Sequence, residues 1–173
     1  MTDIATFVSR RLPTGRDLER DELVELATAI GKNPELWSSQ VRHDVGERIY
    51  VQLYRDTHLD VWMICWLDDQ KTGYHDHDLS SGGVYVCAGT LTEDRFMFTR
   101  EGLRHSSRQR AAGESFVFDG AYIHGMRHAG GPPVTSTHCY SPPLWRMGYY
   151  EEDAQGALTR ISMTYLDEIA ESA

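Results

Sequence analysis

Two histidines one residue apart, His75 and His77, sit in Gly73-Tyr74-His75-Asp76-His77. On a β-strand, side chains at i and i+2 leave the same face, so this spacing aims two imidazoles at one point. His124 enters later, after the strand-like Ser115-Phe116-Val117-Phe118 and a tight Asp119-Gly120 turn. Alone, His-x-His is also the pattern of two hydrogen-bonded surface histidines. Paired with a third histidine from a second hairpin-like unit, it points to a metal site on His75, His77 and His124. The stretch after His77, Asp78-Leu79-Ser80-Ser81-Gly82-Gly83, holds no Glu, so the expected ligand set is three neutral imidazoles without a carboxylate. A divalent ion held so keeps its full charge and open positions, which suits a soft anionic ligand such as a thiolate with a further position for dioxygen. A zinc ion in the same cage would activate water instead. The ligand types leave both metals open.

A second cluster is Ser136-Thr137-His138-Cys139-Tyr140, followed by Ser141-Pro142-Pro143. Ser136, His138 and Tyr140 share one strand face, and Ser-to-His-to-Tyr hydrogen bonds would hold a phenol in place and could move a proton. The plain alternative is a polar strand face turned to solvent and ended by prolines. His43, His58, His105 and His128 have no partner at ligand spacing and read as surface or hydrogen-bonded residues.

The elements that must position these residues are mostly strands. Asp17 to Ile30 places Leu18, Leu23, Leu26, Ala27 and Ile30 near helical period, with Gly31 as a stop. Asn33 is expected to cap a second short helix with Pro34 at its first position. Arg48–Arg55 and Asp60–Trp66 then read as a hairpin around Asp56-Thr57-His58. Further strands are expected at Gly83–Ala88, Leu91–Thr99, Ser115–Phe118, Tyr122–Arg127, Val134–Tyr140, Trp145–Tyr150 and Leu158–Thr164. Strands spaced this closely between Gly, Pro and Asp mean a β-sandwich or barrel. The expected organisation is a single domain over 1–173: a helical segment over 1–42, the barrel over 43–164 and a tail over 165–173, a short helix or frayed end.

Composition narrows the classes. The 173 residues are 40% apolar and 25% charged, enough for a core and too apolar for disorder. Seventeen basic residues against 26 acidic ones give a formal charge of −9, with no Lys/Arg tract, which argues against nucleic-acid binding. No apolar run reaches the ~20 residues of a membrane span. Met1 to Arg10 lacks the apolar centre of a secretion signal. Cys65, Cys87 and Cys139 form no Cys-x-x-Cys pair and read as reduced thiols of a cytoplasmic protein.

His75-Asp76-His77, His124 and Ser136-x-His138-x-Tyr140-Ser-Pro-Pro, in this order, resemble the thiol dioxygenases of the cysteine dioxygenase family, bacterial type. Ile64-Cys65-Trp66 and Gly89-Thr90-Leu91-Thr92-Glu93 add context, and the resemblance spans about residues 45–150. It implies a cupin fold, a double-stranded β-helix or jelly-roll barrel, behind short N-terminal helices. It implies Fe(2+) on His75, His77 and His124, and a reaction adding both atoms of O2 to the sulfur of a small thiol to give a sulfinic acid. Tyr140, His138 and Ser136 would be its outer-sphere triad. An arginine of the first hairpin would clamp the substrate carboxylate: Arg48 if the hairpin shifts by one residue, with Arg55 as the alternative.

Two departures stand out. The Glu that usual cupins carry four or five residues after His-x-His is missing. Gly82 stands where mammalian members carry the cysteine linked to the active-site tyrosine, so Tyr140 should be uncrosslinked; Cys139 faces the other side of its strand. Cysteine is the default substrate, with 3-mercaptopropionate or a bulkier thiol-histidine betaine as rivals. Gly82-Gly83 would leave room for the latter, and Asp78 at the pocket mouth would meet its cation. Asp76 should point away from the metal and fix the loop. Trp62, Trp66, Phe96, Phe98, Phe116 and Phe118 are expected in the core rather than at the ligand. Tyr50 and Trp145 could line the pocket, with core packing preferred. From other classes, a zinc-dependent hydrolase or isomerase and a non-catalytic ligand-binding cupin remain.

Overall fold

The computed structural model describes residues 3–153 and 157–164. The chain opens with a short helix α1 (Ile4–Ser9), capped by the Asp3 carboxylate on the Thr6 N–H, and continues to helix α2 (Arg20–Gly31). The α2 start is set by a capping box in which Glu19 and Glu22 satisfy each other's backbone N–H groups. The expected start at Asp17 is therefore three residues early. Leu18 lies ahead of the helix, and its N–H is bound by Ser141 Oγ at 2.9 Å. After α2 the chain forms only single 3-10 turns, Pro34–Leu36 and Ser38–Gln40. Asn33 does not cap the first of them; its side chain turns back to the Ala29 carbonyl at 2.6 Å.

Among the described residues eleven strands follow: β1 (Ile49–Arg55), β2 (Asp60–Trp66), β3 (Tyr74–Asp76), β4 (Ser81–Ala88), β5 (Thr90–Thr99), β6 (Gly102–Ala111), β7 (Ser115–Phe118), β8 (His124–His128), β9 (Val134–Ser141), β10 (Arg146–Glu152) and β11 (Leu158–Thr164). They make two antiparallel sheets, ordered β1-β2-β9-β4-β7 and β11-β10-β3-β8-β5-β6. β6 has no counterpart among the expected strands. The strand expected from Tyr122 begins only at His124, because residues 119–122 form a turn closed by Tyr122 N–H on the Asp119 carbonyl at 3.1 Å. Residues 165–173, the expected tail, lie outside the described residues. No helix among the described residues is long and apolar enough to cross a membrane.

The central strands of the five-stranded sheet, β2, β9 and β4, are buried on both faces. On its outer face Val61, Met63, Cys65 and Cys139 pack with Leu23, Leu26, Ala27 and Ile30 of α2. On its inner face Ile64, Trp66, Val84, Val86 and Tyr140 meet Leu91, Met126 and Met147 of the other sheet. β9 lies mid-sheet and is buried at all eight residues, so its polar side chains do not face solvent. Thr137 Oγ1 donates to the Ala27 carbonyl of α2 at 3.2 Å, while Ser136, His138 and Tyr140 point between the sheets. Close approach of α2 needs Gly83: a Cβ there would lie 2.5 Å from the Leu23 carbonyl carbon.

Candidate metal centre

The histidine cluster is assembled by strand pairing. β3 and β8 are antiparallel with His75 directly opposite His124, which places two side chains as neighbours on one face. His77 follows just beyond β3. Its backbone is pinned where its N–H donates to the Gly120 carbonyl at 3.1 Å and its carbonyl accepts from Ser80 N–H at 2.9 Å. That contact brings the 119–122 turn onto the loop after β3; a Cβ on Gly120 would lie 2.4 Å from the Asp78 carbonyl oxygen. One ligand nitrogen from each of His75, His77 and His124 then lies within 4.8 Å of the others.

Hydrogen bonds fix which nitrogens are bare. His75 Nδ1 faces the Gly73 carbonyl at 2.9 Å, and a carbonyl only accepts, so Nδ1 carries the proton and Nε2 the lone pair. His124 Nδ1 faces the Glu93 carboxylate at 3.4 Å, which leaves its Nε2 bare. That Nε2 and His77 Nδ1 are buried with no hydrogen-bond partner. Buried unpartnered polar atoms are costly unless something absent from the protein satisfies them. Burial first, then repulsion from His124, lowers the His75 pKa to about 3, and burial likewise drives His77 well below its ordinary value. Two imidazoles kept unprotonated by burial, beside a third whose Nδ1 is turned to Glu93, fit a divalent ion.

Sequence reasoning passed over the carboxylate behind this cluster. Glu93 on β5 is 2% exposed and meets His124, Arg110 Nε at 2.9 Å and the Tyr122 hydroxyl at 3.1 Å. Burial alone would raise its carboxyl, but bonds from His124 and Arg110 outweigh that and hold it at about 2. It stands as a carboxylate orienting a ligand histidine from behind. The available signal was a pair of acids, Glu93-Asp94, inside an otherwise β-forming run.

Ser136, His138 and Tyr140 form the expected chain. Ser136 Oγ lies 2.8 Å from His138 Nε2, and His138 Nδ1 lies 3.3 Å from the Tyr140 hydroxyl. Trp66 Nε1 extends it by donating to Ser136 Oγ at 3.1 Å. An indole N–H only donates, so the chain acquires a direction. Among the described residues Trp66 and His138 are the side-chain partners of Ser136, which is fully buried. Its hydroxyl hydrogen must go to His138 Nε2 or be left unsatisfied. His138 therefore carries its proton on Nδ1 and donates to Tyr140, so the Tyr140 hydrogen is directed away from His138. Burial, then His124 and Arg48, lower the His138 pKa to about 3, so the ring is neutral.

The three histidines, His138 and Tyr140 line one pocket with Tyr50, Trp62, Trp66, Phe118, Met126, Leu144 and Met147. Trp62, Trp66 and Phe118 therefore belong to the pocket wall and not to the core alone: inward-facing positions of β2 and β7 look into the cavity. The Phe118 ring stacks on His77 at 4.5 Å, and Tyr140 flanks the same ring at 5.3 Å. Tyr50 also lines the pocket, whereas Trp145 is 63% exposed under the Arg55 guanidinium. The two glycines do not widen the site. A Cβ on Gly82 would lie 2.2 Å from the Phe118 ring, which fills that space, and Gly83 faces α2.

Of the expected substrate contacts, Arg48 is buried beside the pocket-lining Tyr50 and Trp66, with Nε on the Tyr50 hydroxyl at 2.6 Å and Nη1 on the Lys71 carbonyl. Arg55 is drawn away: its guanidinium pairs with buried Asp60 at 2.7 Å. Asp78 is not among the pocket-lining residues; its carboxylate pairs with Arg146 at 2.9 Å and Arg160 at 3.4 Å. Asp76 points away from the cluster and ties the loop down. His43, His58, His105 and His128 each have a polar partner elsewhere. Cys65, Cys87 and Cys139 are free thiols; Cys139 packs against α2, on the far side of β9 from Tyr140.

The fold is shared with solved cupin structures. A protein of Thermus thermophilus superposes with a TM-score of 0.52 at 15% identity, over 61% of this chain and 92% of its own. A double-stranded β-helix protein of Klebsiella pneumoniae gives 0.50 at 18% identity, over 61% and 80%. A cupin superfamily protein of Desulfitobacterium hafniense gives 0.50 at 8%, over 61% and 86%. At such identities the likeness concerns the fold alone. Sequence carries the family: residues 5–153 match the model of cysteine dioxygenase type I. With the barrel, the three-histidine cluster and that match together, the chain belongs to the cysteine dioxygenase type I family.

Proposed function

We propose that this protein is an Fe(II)-dependent thiol dioxygenase that converts a small thiol, with cysteine as first substrate, to its sulfinic acid. The thiol R–SH and O2 give R–SO2H: the sulfur gives up four electrons and the two oxygen atoms take them up. The observation that carries this reading is the cluster of three buried histidines, with no carboxylate in the group among the described residues, in one pocket with Tyr140. Iron held by His75, His77 and His124 supplies the electron chemistry. The protein does the rest. Trp66, Ser136 and His138 hold Tyr140 so that its hydroxyl can donate to the reacting sulfur or oxygen atoms. The aromatic wall excludes water. Arg48, rather than Arg55, is the group we assign to the substrate carboxylate, because it is buried next to the pocket while Arg55 is committed to Asp60.

Both arguments for a bulky cationic thiol lose their support, since Phe118 fills the space over Gly82 and Asp78 is turned to arginines. Cysteine and 3-mercaptopropionate are therefore preferred over a betaine. Three free cysteines accord with a reducing, cytoplasmic setting.

The test is oxygen uptake by Fe(II)-loaded protein against cysteine, 3-mercaptopropionate and a thiol-histidine betaine, with mass detection of product. Gain of two oxygen atoms on cysteine is expected. Arg48→Ala should raise KM at least tenfold at unchanged iron content, and Arg55→Ala should leave KM within about twofold. Silence with every thiol, together with zinc in the native protein, would overturn the proposal in favour of a zinc hydrolase.

A further inference from the structure

Asp76 lies between two of the cluster histidines, yet its carboxylate is turned away from the pocket and is 4% exposed. Five donors converge on it. Arg160 binds it as a fork, Nε to Oδ2 at 2.7 Å and Nη2 to Oδ1 at 2.8 Å. The Tyr150 hydroxyl donates at 2.6 Å, and the backbone N–H groups of Asp78 and Gly148 at 2.9 and 3.2 Å. A buried carboxylate with every lone pair engaged fixes the backbone that carries it. Here that backbone is the step from His75 to His77.

Arg160 comes from far off. It lies on β11, two strands from β3, and must cross the whole width of β10, some 10 Å at ordinary strand spacing. Gly148 on β10, directly opposite Asp76, opens the passage: a Cβ there would lie 2.1 Å from Arg160 Nε. Glycine, arginine and aspartate thus form one device over three strands. β11 begins at Leu158, beyond the residues 5–153 that match the family.

We propose that Arg160 is a positioning residue for the metal centre, holding Asp76 so that the His75 and His77 imidazoles converge on one ion. The proposal rests on the reading of His75, His77 and His124 as metal ligands. Loss of the fork would leave a buried carboxylate short of its charge partner, and the loop would turn outward to hydrate it.

The test measures Co(II), a spectroscopic probe, on metal-free full-length protein: affinity by competition with a chelator, and the visible ligand-field bands. Arg160→Ala is expected to bind about 10–100-fold more weakly, the usual effect of losing an outer-shell partner, with altered bands. Arg160→Lys should recover part of the affinity, since it keeps the charge but not the fork. Gly148→Ala should reproduce the loss with Arg160 still present, because the nearest atoms to the new methyl belong to the guanidinium, which can swing aside without unfolding the sheet. Wild-type affinity and bands in Arg160→Ala and Gly148→Ala, even with a lowered melting temperature, would overturn the proposal and reduce the pair to a tether for β11. Should Arg160→Ala fail to fold, Gly148→Ala decides alone by the same criterion. Absence of Co(II) binding by the wild type, or unchanged binding by His124→Ala, would overturn the metal reading itself and the proposal with it.

Discussion

At Ser136 a single hydroxyl hydrogen decides the direction of a hydrogen-bond chain. Trp66 can only donate, so the Ser136 hydrogen has His138 as its side-chain acceptor; His138 then carries its proton on Nδ1, and Tyr140 accepts from it. Replacing Trp66 by Phe keeps the ring in the pocket wall and removes the donor that holds the Ser136 oxygen in place. Ser136 can then turn its hydroxyl, and the Tyr140 hydrogen can fall back onto His138. Trp66→Phe should lower kcat about tenfold, roughly the 1.4 kcal/mol worth of one directed hydrogen bond. Iron content and KM should be unchanged, and Tyr140→Phe should lose at least as much. Single-turnover kinetics on iron-quantified protein would check this; an unchanged kcat in Trp66→Phe would show that the chain's direction has no bearing on turnover. The aromatic residues also mark how far sequence reaches. Trp62, Trp66 and Phe118 alternate as core residues do, and only the opposite sheet reveals that their face looks into a cavity.

At the level of elements, the site is a matter of register. His75 meets His124 because β3 pairs with β8 at that residue, and Glu93 reaches His124 because β5 lies on the other side of β8. Glu93→Gln keeps the shape and loses the charge that orients the imidazole, so iron affinity should fall about 10–100-fold in a chelator competition. On the other sheet, Gly83→Ala would press a methyl into the α2 backbone at Leu23. Backbone cannot swing aside as a side chain can. The urea midpoint should drop by the equivalent of about 1–3 kcal/mol with an unchanged slope; an unaltered midpoint would mean that α2 moves freely on the sheet. Strands were legible where β-branched and aromatic residues run between turns: β2 and β7 fall at the expected bounds. β6 was not legible. Gly102-Leu103-Arg104-His105-Ser106-Ser107-Arg108-Gln109-Arg110-Ala111 is an edge strand, mostly exposed, and has no alternation to read. Its charges instead protect an open edge. The His-x-His and Ser-x-His-x-Tyr patterns were legible because period-2 spacing survives in sequence. Glu93 and Arg160 were not, since their roles depend on which strands become neighbours.

For the whole molecule, the buried histidines set how stability responds to acid. His75 and His138 have pKa values near 3 in the folded protein, against about 6.5 in an unfolded chain. Between those values the unfolded chain takes up a proton at each of these sites and the folded one does not. Stability is therefore full above pH 6.5 and falls as the pH is lowered, by about 1.4 kcal/mol per pH unit for each such histidine. The low-lying carboxylates Asp76 and Glu93, both at about 2, act in a separate window. Their contribution is full above the ordinary carboxylate range near pH 4 and is lost only as the pH falls toward 2. Metal-free protein should thus lose stability between pH 6.5 and 4.5, well before Asp76 or Glu93 protonates. His138 allows this to be measured apart from metal binding, since it is not one of the clustered ligands. Removing it by His138→Gln should flatten the dependence of the urea-derived unfolding free energy on pH by about one proton over that window. Equal slopes in the two proteins would mean that His138 titrates normally, and that the neutral, Nδ1-protonated ring on which the direction of the Tyr140 chain depends is not the resting state.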